Sequence, residues 1–245
     1  MHWNSCRPYL LLMAAALLGG GSPIPAAIQT PAPTASPQIS PAPQPLIEIA
    51  RQEPYVLIDP SHGGEDKGAL FDNKLMEKDI TLALARDLRK ELQERGIACR
   101  LLRDTDVNLS LQRRAEAANQ PHVALYLAVH AGLGRGIQVY TPLPLSAPAE
   151  GPFVPWESAQ ARSLQHSRNI AKSVARELNK QNLQASTLDA PLRPLNNIDV
   201  PALAVELSAY HNDARLLKDA KIQKTIASAV ADALAQTRPQ WSAQP

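Results

Sequence analysis

Three short runs of the chain are apolar over nearly their whole length. They are Tyr55–Ile58, Val123–Val129 and Ala202–Leu207. A short apolar run that ends in a turn of small residues is typical of a strand buried on both faces. Such strands occur in parallel sheets that helices cover on both sides. These runs therefore restrict the fold more than any other feature of the sequence.

Amphipathic helical patterns separate the strand-like runs. Between Lys78 and Arg95, apolar residues recur at every fourth position, and Gly96 provides a stop signal. Alternating strand and helix patterns predict an α/β fold, a single domain with a mostly parallel sheet covered by helices on both faces. Further helices are predicted at Leu109–Asn119, Ser158–Gln181 and Ile222–Leu234, and further strands at Ile97–Leu102 and Gly136–Tyr140.

The first part of the chain has a different composition. Arg7, the apolar run Tyr9–Leu18 and the small residues Ile24–Ala27 follow the order of a secretory signal peptide, which we place at residues 1–27. The apolar core is shorter than the ~20 residues that cross a bilayer. A retained helical anchor is the alternative. Proline and alanine dominate residues 28–54 and predict an extended linker, which leaves a folded domain at 55–238.

These assignments and the charge predict where the protein acts and what it contacts. Export would bring it to the periplasm, the cell wall or the extracellular space, with no membrane span in the mature chain. Cys99 would then be the only cysteine left, which excludes an internal disulfide. The formal net charge is +2 and no basic run is present, so nucleic acid is not an expected partner. We expect a monomer.

Four residues at the ends of predicted elements can carry chemistry. His62 and His130 each follow an apolar run and should meet at the same edge of the sheet. Glu77 begins a helix. Two histidines and a carboxylate suffice for a catalytic zinc with an open position. Glu206, which interrupts the third run, fits a base beside the metal, and the alternative is a buried glutamate paired with an arginine.

The order of the sequence blocks resembles that of the zinc-dependent N-acetylmuramoyl-L-alanine amidases, the amidase_3 group of bacterial enzymes that trim peptidoglycan. The resemblance extends from about Tyr55 to Leu234. The blocks that carry it are Asp59–Ala69, Glu77–Asp79, Leu102–Asp106, Leu111 with Arg114, Ala118–Asn119, Val129–Ala131 and Pro201–Leu207.

The resemblance implies that residues 55–238 form an amidase catalytic domain. Its substrate would be peptidoglycan, cleaved at the amide between N-acetylmuramic acid and the L-alanine of the stem peptide. It implies one zinc ion held by His62, Glu77 and His130, with Glu206 as general base for a zinc-activated water. The alternatives are a zinc peptidase on a similar fold and a catalytically weak, peptidoglycan-binding or regulatory relative.

The chain departs from the family pattern around these residues without removing a ligand or the base. The family usually has glycine at Ser61, asparagine at Gly132, Gly-Phe at Ser208–Ala209, and aspartate and serine at Ala124 and Ala128. Two further predictions concern arginines. Arg103 should form a structural ion pair with Asp106 or cap an element, and Arg193 is a candidate substrate contact.

Overall fold

The computed structural model describes residues 53–71, 75–143, 156–208 and 217–241. The predicted signal peptide at 1–27 and all but the last two residues of the predicted linker at 28–54 lie outside these ranges, so both remain predictions. Within the described ranges, no helix combines the length and the apolar character that a membrane span requires.

The described residues form eight strands and four α-helices in alternating order. The strands are β1 (Tyr55–Pro60), β2 (Leu70–Phe71), β3 (Leu75–Met76), β4 (Cys99–Leu101), β5 (Val123–Gly132), β6 (Ile137–Pro142), β7 (Ala185–Ala190) and β8 (Ala202–Ser208). The helices are α1 (Glu77–Glu94), α2 (Leu111–Ala118), α3 (Leu164–Lys180) and α4 (Ala220–Thr237), and 3-10 turns span Trp156–Ala161, Leu195–Asn197 and Arg238–Gln240.

Six strands form one sheet in the order β4-β1-β5-β8-β6-β7. Neighbouring strands from β4 to β8 are parallel, which confirms the mostly parallel sheet. Strand β6 runs antiparallel to β8 and parallel to β7, so the last two strands point the other way. Strand β7 was not predicted, because this edge strand is largely polar and exposed and has no apolar run. The small β2–β3 hairpin was not predicted either.

Helices cover both faces of the sheet, as predicted. The three longer helices, α1, α3 and α4, bury their apolar residues against one face. In α1 these include Ile80, Leu84, Leu88 and Leu92, the residues that carried the helical pattern. Burying each such side chain stabilises the fold by about 1.5–3 kcal/mol. The short helix α2 and the turn Leu195–Asn197 cover the opposite face.

Strand alternation decides which residues face α2 at the carboxyl ends of the strands. Tyr126 and Ala128 of β5 pack on the α2 face, whereas Leu127 and Val129 point to the longer helices. Because side chains alternate with a period of two, His130 also lies on the α2 face. The same alternation in β8, from Ala202 and Ala204, puts Glu206 there.

Candidate active site

The three predicted metal ligands meet at the carboxyl edge of the sheet. Glu77 Oε2 lies 3.1 Å from His62 Nε2, and Glu77 Oε1 lies 2.9 Å from His130 Nδ1. One ligand atom from each residue lies within 4.8 Å of the others. Two imidazole nitrogens and a carboxylate oxygen at such spacing are the donor set of a catalytic zinc that keeps a further position open. The residues therefore fit a zinc ion.

His62 sits in a tight turn directly after β1. Its backbone adopts a positive φ of 63°, and Gly63 and Asp66 exchange two backbone hydrogen bonds of 2.8 and 3.2 Å. This turn brings the Asp66 carboxylate within 2.9 Å of His62 Nδ1. The Asp66 carboxylate accepts a hydrogen bond from the Nδ1–H group of His62, so His62 presents Nε2 towards Glu77. The hydrogen bond to Glu77 raises the pKa of His62 despite the opposing effect of burial, and Asp66 adds to the rise.

Glu77 is the first residue of α1, and its side chain is only 6% exposed. The backbone amides of Ala69 and Ala131 donate to its two oxygens at 2.8 and 3.1 Å. Burial alone would raise the pKa of the Glu77 carboxyl, but the hydrogen bonds from His130, His62 and the Ala69 amide hold that pKa well below its usual range. Glu77 is therefore ionised at neutral pH and suited to bind a cation.

His130 lies inside β5, which continues to Gly132 rather than ending at Val129 as the apolar run suggested. Its Nδ1 faces Glu77, and its Nε2 lies 2.8 Å from Ser61 Oγ. The rings of His62 and His130 are 5.7 Å apart between centroids and nearly perpendicular. Each histidine thus has one nitrogen facing Glu77 and the other facing an oxygen of the β1 end or its turn.

Glu206 lies beside the three predicted metal ligands rather than among them. It is the β8 partner of His130 in the sheet register, and Gln138 of β6 flanks its other side. Within the described ranges, its carboxylate has no hydrogen-bond or ion-pair partner, so they contain no arginine paired with it. Burial raises the pKa of Glu206, the charge of His130 lowers it and the charge of Glu77 raises it further, and the net shift is upward.

A buried ion pair supports the turn that carries His62. Asp59, at 1% exposure, contacts the Arg114 guanidinium and the Tyr126 hydroxyl. Arg114 also donates to the carbonyls of Pro60 at 3.2 Å and His62 at 3.0 Å. Buried backbone carbonyls beyond the end of a strand need hydrogen-bond donors, and Arg114 supplies them here. Helix α2 is thereby joined to the end of β1.

Arg103 does not pair with Asp106 and instead caps the end of β1, the second of its two predicted roles. Its guanidinium is buried and donates to the carbonyls of Pro60 at 2.9 Å and Ser61 at 3.1 Å. Asp106 instead accepts from Lys78 Nζ at 2.6 Å and from the amide of Gly64 at 2.7 Å. The carbonyls of Pro60 and Ser61 therefore hold Arg103 in the interior, while Asp106 remains on the exposed side of the turn.

The contacts of Asp66 and Ser61 with the two histidines were not predicted from the sequence. Asp66 follows His62 by four residues across a glycine-rich turn, and this spacing could have indicated a side-chain partner for His62. Ser61 offered no comparable signal, because its contact with His130 depends on the register between β1 and β5.

A cavity of about 270 Å³ gives access to the metal ligands from the α2 side. His62, His130 and Asp66 are among the residues that line it. A second cavity of about 400 Å³ continues along α2, and Leu111, Arg193 and Pro194 line both. Arg193, the candidate substrate contact, thus lines both cavities. The two adjacent cavities make up a groove along α2, and His62 and His130 belong to its lining.

Comparison with known proteins agrees with this arrangement. The model of the family described as N-acetylmuramoyl-L-alanine amidase (Amidase_3) matches residues 56–236. N-acetylmuramoyl-L-alanine amidase AmiC of Neisseria meningitidis is 26% identical over 223 residues, which cover 77% of this chain and 54% of that protein. The germination-specific N-acetylmuramoyl-L-alanine amidase of Bacillus subtilis is 28% identical over 198 residues, or 71% of this chain and 76% of the relative.

The solved structure of N-acetylmuramoyl-L-alanine amidase AmiC2 of Nostoc punctiforme shares the fold. Its TM-score is 0.61 at 23% identity, and the match covers 76% of this chain and 97% of that one. The chain spans only about half the length of the Neisseria relative. The family model nevertheless includes all four predicted site residues and most of the sequence. The chain therefore belongs to the Amidase_3 family of N-acetylmuramoyl-L-alanine amidases.

Proposed function

We propose that this protein is an exported, zinc-dependent N-acetylmuramoyl-L-alanine amidase. Its substrate is peptidoglycan, and the bond it hydrolyses joins the lactyl group of N-acetylmuramic acid to the L-alanine of the stem peptide. The observation that carries the proposal is the convergence of His62, Glu77 and His130 beside a second carboxylate, Glu206, within a domain of the amidase family. Export rests on the predicted signal peptide at 1–27.

His62, Glu77 and His130 would hold the ion, with Nε2, the carboxylate and Nδ1 as ligand atoms. When bound, zinc supplies Lewis-acid polarisation of the scissile carbonyl and acidifies a water molecule. Asp66 keeps the proton of His62 on Nδ1, so Nε2 remains available for the metal. The ionised Glu77 contributes the negative charge of the ligand set.

Glu206 transfers the proton during hydrolysis. As general base it accepts a proton from the attacking water, whose oxygen forms a bond to the lactyl carbonyl carbon. As the bond between this carbon and the amide nitrogen breaks, Glu206 returns the proton to that nitrogen, which leaves as the amine of L-alanine. Burial favours the protonated form of Glu206 that this second step requires. The groove along α2 admits the polymer from the solvent side.

The test is digestion of purified peptidoglycan by the full-length protein, with and without a chelator, followed by mass analysis of the soluble products. An amidase releases intact stem peptides that begin with a free L-alanine amine, and the chelator abolishes their release. Cuts inside the stem peptide would identify a peptidase instead. Retention on peptidoglycan without soluble products would identify a binding or regulatory protein.

A further inference from the structure

The ring of His130 has a second polar contact besides Glu77. Ser61 Oγ lies 2.8 Å from His130 Nε2, and Ser61 is only 5% exposed. We propose that Ser61 is a positioning residue that holds the His130 ring so that Nδ1, rather than Nε2, binds the metal. This inference rests on the proposed function, since it presupposes that His130 is a metal ligand.

The backbone of Ser61 is held in place beside His130. Its amide donates to the carbonyl of Val129 at 3.1 Å, which extends the β1–β5 pairing by one residue. Thr81 Oγ1 and Arg103 Nη2 donate to its carbonyl at 2.9 and 3.1 Å. Both backbone polar groups of Ser61 are therefore held, and the residue stands beside His130.

A hydroxyl suits this position because it can donate and accept a hydrogen bond. In the metal-free neutral ring, Nδ1–H can donate a hydrogen bond to Glu77, and Nε2 then accepts a hydrogen bond from the Ser61 hydroxyl. When Nδ1 is a ligand, the ring proton is on Nε2 and the Ser61 oxygen accepts it. The direction of this hydrogen bond therefore reverses with metal binding, while the ring keeps its orientation.

The two histidines differ in the hydrogen-bond partner that fixes their ring proton. The partner of His62 Nδ1 is the Asp66 carboxylate, which when ionised only accepts and therefore keeps the proton on Nδ1. His62 thus offers Nε2 to the metal and His130 offers Nδ1. Partners that orient ligand histidines change metal affinity by about 10–100-fold when removed. Because the Ser61 hydroxyl is neutral, we expect a change near the lower end of that range.

The first experiment measures zinc affinity by competition with a chromophoric chelator, using the full-length protein. Ser61→Ala should bind Zn²⁺ about tenfold more weakly than the wild type. The control is Ser167→Ala, which removes another buried hydroxyl, bonded to the carbonyl of Ser163 and to the amide of Ala202, the first residue of β8. This control should bind zinc as the wild type does. Equal affinities for Ser61→Ala and the wild type would overturn the inference.

The second experiment needs no variant and so does not depend on the folding of Ser61→Ala. Nitrogen-15 NMR of the histidine side chains in the zinc-loaded wild type should show His130 with a metal-bound Nδ1 and a protonated Nε2. His62 should show the opposite arrangement. A metal-bound Nε2 in His130 would refute the role of Ser61 while leaving the zinc enzyme intact. A wild type that binds no zinc would refute the proposed function itself, and the inference with it.

Discussion

The carboxylates of Glu77 and Glu206 flank the same histidine, His130, but their surroundings are opposite. Two imidazole nitrogens and two backbone amides lie within hydrogen-bond distance of the Glu77 carboxylate. The Glu206 carboxylate has no such partner within the described ranges. Burial favours the neutral form of both, yet the pKa of Glu77 is lowered and the pKa of Glu206 is raised.

The comparison shows that donors, and not burial alone, decide which carboxylate keeps its charge. A carboxylate fixed by four partners is held in one place as an anion and can serve as a metal ligand. A carboxylate without partners can accept a proton and release it again within one catalytic cycle. We propose that the same edge of the sheet provides both roles, and the following experiments test this assignment.

Glu77→Gln should have the largest effect. The substitution replaces the anionic ligand with a neutral amide, so zinc content should fall from about one ion per chain to nearly none, and stem-peptide release should fall to background. Elemental analysis of the dialysed full-length protein measures the zinc content, and the peptidoglycan digest measures the release of stem peptides. Glu91→Gln is a matched control, because Glu91 is a buried residue of the same helix paired with Arg95. Full zinc content in Glu77→Gln would remove Glu77 from the ligand set.

Glu206→Gln should separate the base from the ligands. Glutamine keeps the shape of the side chain but cannot accept the proton of water, so turnover should fall by at least ~10² while zinc content stays at the wild-type level. The same two measurements apply, again with Glu91→Gln as the control. Loss of zinc would place Glu206 among the ligands, and near-normal turnover would assign the base to another residue.

Much of the fold and the positions of the site residues could be predicted from the sequence. The apolar runs predicted β1, β5 and β8, and the positions of the histidines at their ends predicted that they meet at one edge. Glu206 was conspicuous because a charged residue inside an apolar strand requires a reason. These predictions succeed because hydrophobic periodicity and strand direction are encoded locally in the chain.

The contacts between distant segments could not be predicted in this way. The reversed direction of β6 and β7 depends on the antiparallel pairing of β6 with β8 and on the pairing of β7 with β6. No local sequence pattern indicates these pairings. Arg103 binds carbonyls rather than Asp106 because β1 leaves those carbonyls unpaired in the interior. Ser61 meets His130 through the sheet register. Each of these contacts depends on tertiary packing that the local sequence does not determine.

Two glycines allow a milder test, since each packs against one of the two carboxylates. A Cβ on Gly68 would lie 2.6 Å from Glu77 Oε2 and from His62 Cδ2, and φ there is +64°. A Cβ on Gly132 would lie 2.8 Å from Glu206 Oε1. Gly68→Ala should therefore weaken zinc binding by about tenfold. Gly132→Ala should lower kcat by about tenfold at unchanged zinc content, because it displaces the base.

The glycine pair is measured by zinc competition and by steady-state kinetics on solubilised peptidoglycan. Gly96→Ala is a suitable control, because Gly96 also has a positive φ, of 66°, but no atom within 4 Å of an added Cβ. Gly96→Ala therefore shows the effect of backbone strain alone, without a new steric contact at the site. If Gly132→Ala lost zinc and Gly68→Ala did not, the two carboxylates would have exchanged roles.

The smallest expected effect is on the pH dependence of activity. Glu206 must be ionised to accept a proton, and burial raises its pKa above the ordinary value of 4.5. As the pH falls through this raised pKa, the ionised fraction decreases, so kcat/KM should fall at a pH above 4.5.

Acid also protonates the ligand histidines and releases metal, so zinc occupancy must be measured at each pH. Over the range in which zinc stays bound, the residual activity of Glu206→Gln should not change with pH, because glutamine does not titrate. A wild-type profile that stays level down to pH 4.5 with zinc bound would show that Glu206 is as easily ionised as an exposed glutamate, and the contrast with Glu77 would then not explain the choice of base.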